Sequence, residues 1–417
     1  MKKLRTIARA FILLTTVAYS LGAAAKGHRT QVFTTVKTAN AETVHGQIDW
    51  PQGELIDWNG PVIVFISGGI PSDRNGWAVL ARGTVWNRRS PFKDLSDALV
   101  AKGMAVIRFD HPAVRAPKFN CRDALENGTF SESRIRTHCL NVEVLSRVGV
   151  STYVSSVEAA INHVVGLMPN ATRQVVLFGF SEGLQHATTI LNRRSITPSA
   201  LVSIGSPAQC LRDVSHWQAI DRVIETLPEF DSNIDGVVTN AEIEDGYKRG
   251  IGGIASDSSA WLSPHGEWRK DDIEAFRSDL KKQFSELTGR FRDVGQKDSL
   301  TYVRHKSGVR IPDVTESFWR MQFQSEVSSL KSMVQLGVPG LFIWGDKDRQ
   351  VPVTLQASLA VAAKQKGATV EVVRFAARFH MLSAESDTDW FEPAFASDIA
   401  EVVRKFLLRS RRSAQAS

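Results

Sequence analysis

Residues 173–191 read RQVVLFGFSEGLQHATTIL: a short apolar run, a serine flanked two residues away by Gly179 and Gly183, and then the first turns of a helix. A strand that turns sharply into a helix is the setting in which Gly-x-Ser-x-Gly carries chemical meaning. The turn holds Ser181 in a strained backbone conformation, and the two glycines keep side chains from colliding where strand and helix fold back on each other. Ser181 is then exposed above the strand end. It also sits at a helix N-terminus, where N–H groups and the helix dipole favour developing negative charge. A glycine-flanked loop serine is the bland alternative, and the strand before it and helix after it argue for a nucleophile.

Outward from that turn the chain alternates. Residues 61–67, 104–110, 200–205 and 338–345 are largely apolar runs of strand length, 369–375 reads as a further strand, and 61–67 in particular reads as a strand covered on both faces. Between them lie helical patterns at 91–102, 153–168, 354–366 and 393–408. Buried strands alternating with amphipathic helices predict a mostly parallel α/β sheet with right-handed crossovers. Residues 30–38 and 43–49 read as a preceding pair of strands. The alternation breaks after Pro207. From 208 to 336 the sequence turns helical and charged and carries Trp217, Trp261, Trp268 and Trp319, so it is expected to be a large, mainly helical cap inserted between two sheet strands. Residues 26–207 and 337–417 are then the two parts of one core. The four tryptophans either line a pocket or form the core of the cap. No internal repeat is visible, and the tail after Arg409 is expected to fray.

Residues 1–25 stand apart from the fold. Lys2, Lys3, Arg5 and Arg9 precede an apolar stretch at 10–21 and an A-x-A site at 23–25, the pattern of a secretory signal peptide cut before Lys26. The apolar run is shorter than the ~20 residues a membrane-spanning helix needs, and no later stretch is apolar enough to span. The product is expected to be exported, to the periplasm or beyond. Of the formal net charge of +7, four charges belong to this leader, which holds no acidic residue, leaving +3. So small an excess points to neither a nucleic-acid partner nor a polybasic membrane patch. Export permits disulfides: Cys121 and Cys139 are the natural pair, worth about 3 kcal/mol for a loop of that length. Cys210 is left over, and no Cys/His spacing matches a zinc site.

A serine needs a base, and the base an orienting acid. In hydrolases built on such an elbow these follow as Ser, Asp/Glu, His, on loops after later strands. Residues 344–352 (WGDKDRQVP) follow one buried strand and Phe379-His380-Met381 the last. Asp348 is the preferred acid and Asp346 the alternative that shapes the turn. His380 is the expected general base. An oxyanion hole needs two N–H donors: Glu182 after the nucleophile, and Gly69, or else Ile70, in the loop 67–76 (SGGIPSDRNG), since Pro71 has no N–H.

On these residues the chain resembles α/β-hydrolase-fold serine hydrolases. The loop 67–76 is similar to the G-S-G-P-x-D-R-D-G stretch, and 179–183 (GFSEG) to the G-H-S-E-G elbow, of an esterase and peptidase-like branch. The resemblance implies a Ser181, Asp348, His380 triad acting on a small ester or peptide-like substrate. The sequence departs from the branch at Asp110-His111-Pro112-Ala113, where an Asp-x-Arg-Gly loop is usual, at Phe180 and in the size of the cap. Ester hydrolysis leads; a peptidase, an acyltransferase, or a calcium-dependent binding protein on an inactive hydrolase fold are the alternatives.

Inside the cap, residues 231–242 (DSNIDGVVTNAE) resemble EF-hand and dockerin-type calcium loops. Asp231, Asn233 and Asp235 stand at positions 1, 3 and 5, Gly236 at 6, the Val237 carbonyl at 7 and Glu242 at 12. Three carboxylates, an amide and a carbonyl suit a hard cation. Calcium is expected to brace the cap and to take no part in the chemistry.

Overall fold

The computed structural model describes residues 28–35, 43–68, 70–76, 90–115, 133, 135–252, 258–291, 298–304, 310–387 and 389–416. The leader 1–25, Gly69 and Cys121 lie outside them.

An eight-stranded sheet organises the molecule. Its strands are β1 (Arg29–Thr34), β2 (His45–Trp50), β3 (Val62–Ile66), β4 (Ala105–Phe109), β5 (Val175–Phe180), β6 (Ala200–Ile204), β11 (Gly340–Gly345) and β12 (Val370–Phe375), in the order β1-β2-β4-β3-β5-β6-β11-β12. β1 pairs antiparallel with β2, and β2 with β4; the remaining pairs are parallel. The continuous apolar runs follow from burial on both faces. In β3, Val62, Val64 and Ile66 enter one core while Ile63 and Phe65 enter the other; in β5, Val175 and Leu177 oppose Val176, Phe178 and Phe180. That is the period of two that a pleated strand imposes.

Helices cover both faces. On one lie α1 (Pro91–Ala101), through Phe92, Leu95 and Leu99, and α11 (Ala396–Ala416), through Ile399, Val403 and Phe406. On the other lie α2 (Val150–Leu167), α3 (Gly183–Arg193), α9 (Ser329–Leu336) and α10 (Val353–Gln365). This is the α/β-hydrolase fold. α11 continues to Ala416, past the Arg409 tail expected to fray, and the Arg409 guanidinium pairs with Glu371.

Between β6 and β11 the chain makes α4 (Leu211–His216), a π turn over Trp217–Asp221, α5 (Arg222–Thr226), α6 (Asn240–Lys248), α7 (Ile273–Arg290) and α8 (Glu316–Gln324). It also makes strands that the sequence did not announce. β7 (Val238–Thr239) pairs with β8 (Glu267–Trp268), and β9 (Leu300–Arg304) with β10 (Arg310–Thr315), each antiparallel. They are short or bulged, with too few residues to show a period. Much of this segment has a core of its own, built from Ile224, Leu227, Phe230, Ile243, Trp261, Trp268 and Phe276. Its start is tied to the sheet domain by buried Gln356, whose Oε1 accepts from the Ala208 N–H at 2.8 Å and the Gln209 N–H at 3.1 Å.

The β7–β8 pairing joins two loops of one register. Gly236 (φ +82°) and Gly266 (φ +91°) each stand two residues before the paired Val238 and Trp268. Glu242 and Asp272 each stand four residues after them and accept from the Thr239 and Arg269 N–H groups, both at 3.0 Å. The second loop, 261–272, has Trp261, Ser263 and His265 where the first has Asp231, Asn233 and Asp235. This repeat was invisible in the sequence because it keeps the backbone shape and the last carboxylate but puts Trp261 and His265 where the first loop has Asp231 and Asp235.

Candidate active site

Ser181 sits between β5 and α3 with φ +52°, the left-handed region that a non-glycine residue occupies only when its surroundings force it. The forcing is visible. A Cβ on Gly183 would lie 2.0 Å from the Ile66 carbonyl oxygen, and one on Gly179 2.3 Å from the Leu184 nitrogen, so α3 rests directly on the strand ends.

The loop after β12 brings His380 over this turn. His380 Nε2 lies 2.9 Å from Ser181 Oγ, and its Nδ1 lies 2.8 Å from Asp348 Oδ2. Asp348 Oδ1 accepts from the Gln350 and Val351 N–H groups at 2.7 and 3.2 Å, which fixes the carboxylate. Asp346, the other acid of that loop, faces away and accepts from Arg374 Nε at 2.6 Å. A positive φ at Gly205 lets its backbone pass under His380, whose carbonyl would be 2.5 Å from any Cβ there. Burial pulls the His380 pKa down, but the charge and hydrogen bond of Asp348, with Asp387 beyond it, outweigh burial and hold it above the ordinary histidine value.

Asp387 was not singled out from the sequence. Its Oδ1 accepts from the His380 N–H at 3.2 Å and the Arg349 N–H at 3.1 Å, so one carboxylate ties the histidine loop to the acid loop. Burial, with Asp348 nearby, pushes its pKa up. One of two Asp residues in a loop of Ser, Glu and Thr offers no signal by spacing.

On the oxyanion side, Glu182 stands at the N-terminus of α3, and Ile70 lines the cleft together with Ser181 and His380. Gly69 lies outside the described residues. The loop is pinned at its far end by the buried Arg74–Asp110 pair: Asp110 Oδ1 accepts from the Arg74 N–H at 2.8 Å and from its Nε at 3.0 Å.

A cleft of about 440 Å³ opens above Ser181, within the range of small-molecule sites. Leu211 and Val214 of α4, Phe284 and Leu287 of α7, and Phe318, Trp319 and Phe323 of α8 supply apolar wall. Two amides on the wall are engaged by the protein itself: Gln218 Nε2 donates to the Gln350 carbonyl at 2.6 Å, and Gln322 Nε2 to Ser215 Oγ at 2.7 Å; Glu182, Arg222 and Asp313 also line the cleft. The cap tryptophans therefore divide. Trp319 lines the cleft, whereas Trp261 and Trp268 are core.

In the acidic loop, Asp231 accepts from the Asp235 N–H at 3.2 Å and the Gly236 N–H at 2.9 Å, and Asp235 Oδ1 accepts from the Val237 N–H at 2.8 Å. Glu242 Oε1 accepts from Ser232 and Oε2 from Thr239, and the Thr239 N–H foremost holds this carboxyl down at about 2. No three His, Cys, Asp or Glu side chains among the described residues are gathered to hold a metal ion. The donor types fit calcium, and Glu242 would have to turn from its present partners to reach it. Of the cysteines, Cys139 is buried and Cys210 is a free, buried thiol. No helix among the described residues is long and apolar enough to cross a membrane.

No protein-family model and no curated protein matches this chain. Among solved structures it is similar to Est1E from Butyrivibrio proteoclasticus, at 11% identity over 91% of this chain and 99% of that one, with a TM-score of 0.42. It is similar to a lipase in its open form at 14% identity (92% and 99% covered, TM-score 0.48). A highly thermostable carboxyl esterase from Bacillus coagulans is similar at 12% identity (91% and 97% covered, TM-score 0.46). Likeness at this level says nothing of activity, which rests on the geometry of the site.

Proposed function

We propose that this chain is a serine hydrolase that cleaves a carboxylic ester bearing an apolar acyl or alcohol group. The observation that carries the reading is the hydrogen-bonded line from Asp348 through His380 to Ser181, with the serine held at φ +52°. In this reading Ser181 Oγ attacks the ester carbonyl carbon and its proton passes to His380 Nε2. Asp348 keeps the Nδ1 proton in place and stabilises the imidazolium. The carbonyl π pair moves onto oxygen, where the Glu182 N–H and a donor from the loop after β3, Gly69 or Ile70, receive it. Collapse expels the alcohol, protonated by His380. Water then enters by the same route, deprotonated by His380, and releases the acid and Ser181. The apolar side chains of α4, α7 and α8 favour an apolar group.

A fluorophosphonate label followed by a panel of p-nitrophenyl esters and aminoacyl amides tests this. Labelling at Ser181 with ester turnover is expected; faster amide turnover would make the protein a peptidase, and no labelling would end the reading.

Three further proposals concern the rest of the chain. Calcium binds at Asp231, Asn233, Asp235, the Val237 carbonyl and Glu242, which the donor set and the left-handed Ile234 and Gly236 support. A Cys121–Cys139 bridge is supported by Cys210 being free, and a non-reducing digest that yields a Cys210-linked peptide would refute it. The chain is exported with cleavage before Lys26, which the N-terminal residue of the secreted protein tests.

A further inference from the structure

The sequence gives no reason to look at Tyr153, one aromatic residue in the second helix. Its ring is fully buried, stacked on His111 at 5.3 Å and set edge-on to His186 at 4.9 Å. Burial foremost pushes both of these histidines down to about 3, so the two imidazoles against the ring are neutral, and burial, with the Glu182 carboxylate, raises the phenol's own pKa, keeping it a hydrogen-bond donor. The hydroxyl reaches the residue that begins the loop after β3. It lies 3.0 Å from Ser67 Oγ and donates to the Ser67 carbonyl at 3.2 Å.

A carbonyl and the N–H of the same trans peptide point in opposite directions. With the Ser67 carbonyl held down into the core by Tyr153, the Gly68 N–H is turned out of it, and the loop leaves β3 with its direction set. The loop meets the elbow at once: a Cβ on Gly68 would lie 3.3 Å from Glu182 Cβ. Arg74 and Asp110 fix the far end of the loop, and Tyr153 fixes the near end. We propose that Tyr153 is a positioning residue for the oxyanion site, orienting through Ser67 the loop that supplies the second N–H donor. This rests on the hydrolase reading above. Donors that are preorganised act on the charge that develops in the transition state and hardly touch the ground state, so misorientation should show in turnover and not in substrate binding.

Tyr153→Phe removes the hydroxyl and keeps the ring. For a p-nitrophenyl ester, kcat should fall by about ten-fold or more while KM stays within about two-fold. The affinity of a phenylboronic acid, which forms a tetrahedral adduct on Ser181, should weaken by the same factor as kcat/KM. A kcat within two-fold of wild type, or an unchanged boronate affinity, overturns the proposal. So does a parallel loss in kcat, KM and melting temperature, which is the mark of a packing role alone. If Tyr153→Phe does not fold, Tyr153→Met, which also removes the hydroxyl and whose flexible side chain adapts to the buried site, takes its place: the same loss in kcat at constant KM is expected, and no loss overturns the proposal. Wild-type protein labelled in parallel with the fluorophosphonate separates the two levels: failure of wild type to label removes the hydrolase reading and this inference with it, whereas labelling without a Tyr153 effect removes this inference alone.

Discussion

A serine at φ +52° costs the fold stability, and the packing of α3 against the ends of β3 and β5, with the hydrogen bond from the Ser181 N–H to the Ile204 carbonyl at 2.9 Å, maintains it. Ser181→Ala is therefore expected to abolish turnover and phosphonate labelling without loosening the protein; surviving labelling would mean that another residue is the nucleophile. The two acids of the 344–352 loop differ by their partners. Asp348→Asn should lower kcat by roughly 10⁴-fold, as a mis-set imidazole tautomer does, while Asp346→Asn loses only a surface pair with Arg374, worth about 0–1 kcal/mol. The reverse ranking would move the triad acid to Asp346. His380 must be neutral to accept the serine proton. Since its pKa is held above the ordinary 6.5, activity should fall on acidification with a midpoint above pH 6.5; a kcat/KM profile flat down to pH 5 would exclude it as base. Ser181, Asp348 and His380 were legible because chain order and strand ends constrain them. Asp387 and Tyr153 were not, since each makes its contact with backbone groups, which no side-chain pattern announces.

At the scale of elements, strands buried on both faces were read to within a residue or two because continuous apolar runs bounded by turns have few other meanings. The paired loops 231–242 and 261–272 show the opposite case. The first was read by its oxygen ligands, while the second repeats its glycine, its paired residue and its capping carboxylate with tryptophan and histidine in place of ligands. If calcium occupies the first loop, its melting transition should rise with free ion as mass action requires. Glu242→Gln, which keeps the shape and removes one charge, should erase that shift. Identical melting curves in chelator and in millimolar calcium would reduce the loop to an acidic turn.

Among the described residues an eight-stranded sheet carries a core on each face and the inserted segment has much of another, and the proposed chemistry lies where they meet. The residues proposed for the chemistry follow β3, β5, β11 and β12, while α4, α7 and α8 of the inserted segment form the cleft wall. The insertion was legible as a break in strand and helix alternation; its division into core tryptophans and a cleft tryptophan was not, because an aromatic residue's neighbours are set by tertiary packing. Trp261 belongs wholly to the segment's core: it is 1% exposed, its Nε1 donates to the Val223 carbonyl at 3.2 Å, and its ring packs on Phe230. Trp261→Ala should destabilise that core by about 3–5 kcal/mol and loosen the wall bearing Phe284, while Ser181, His380 and Asp348 keep their own supports. KM for an ester with a long apolar group should then rise several-fold, whereas Ser181 labelling by a small fluorophosphonate should stay within about two-fold of wild type. Equal losses in both would show that the inserted segment and the reacting residues stand or fall as one cooperative unit.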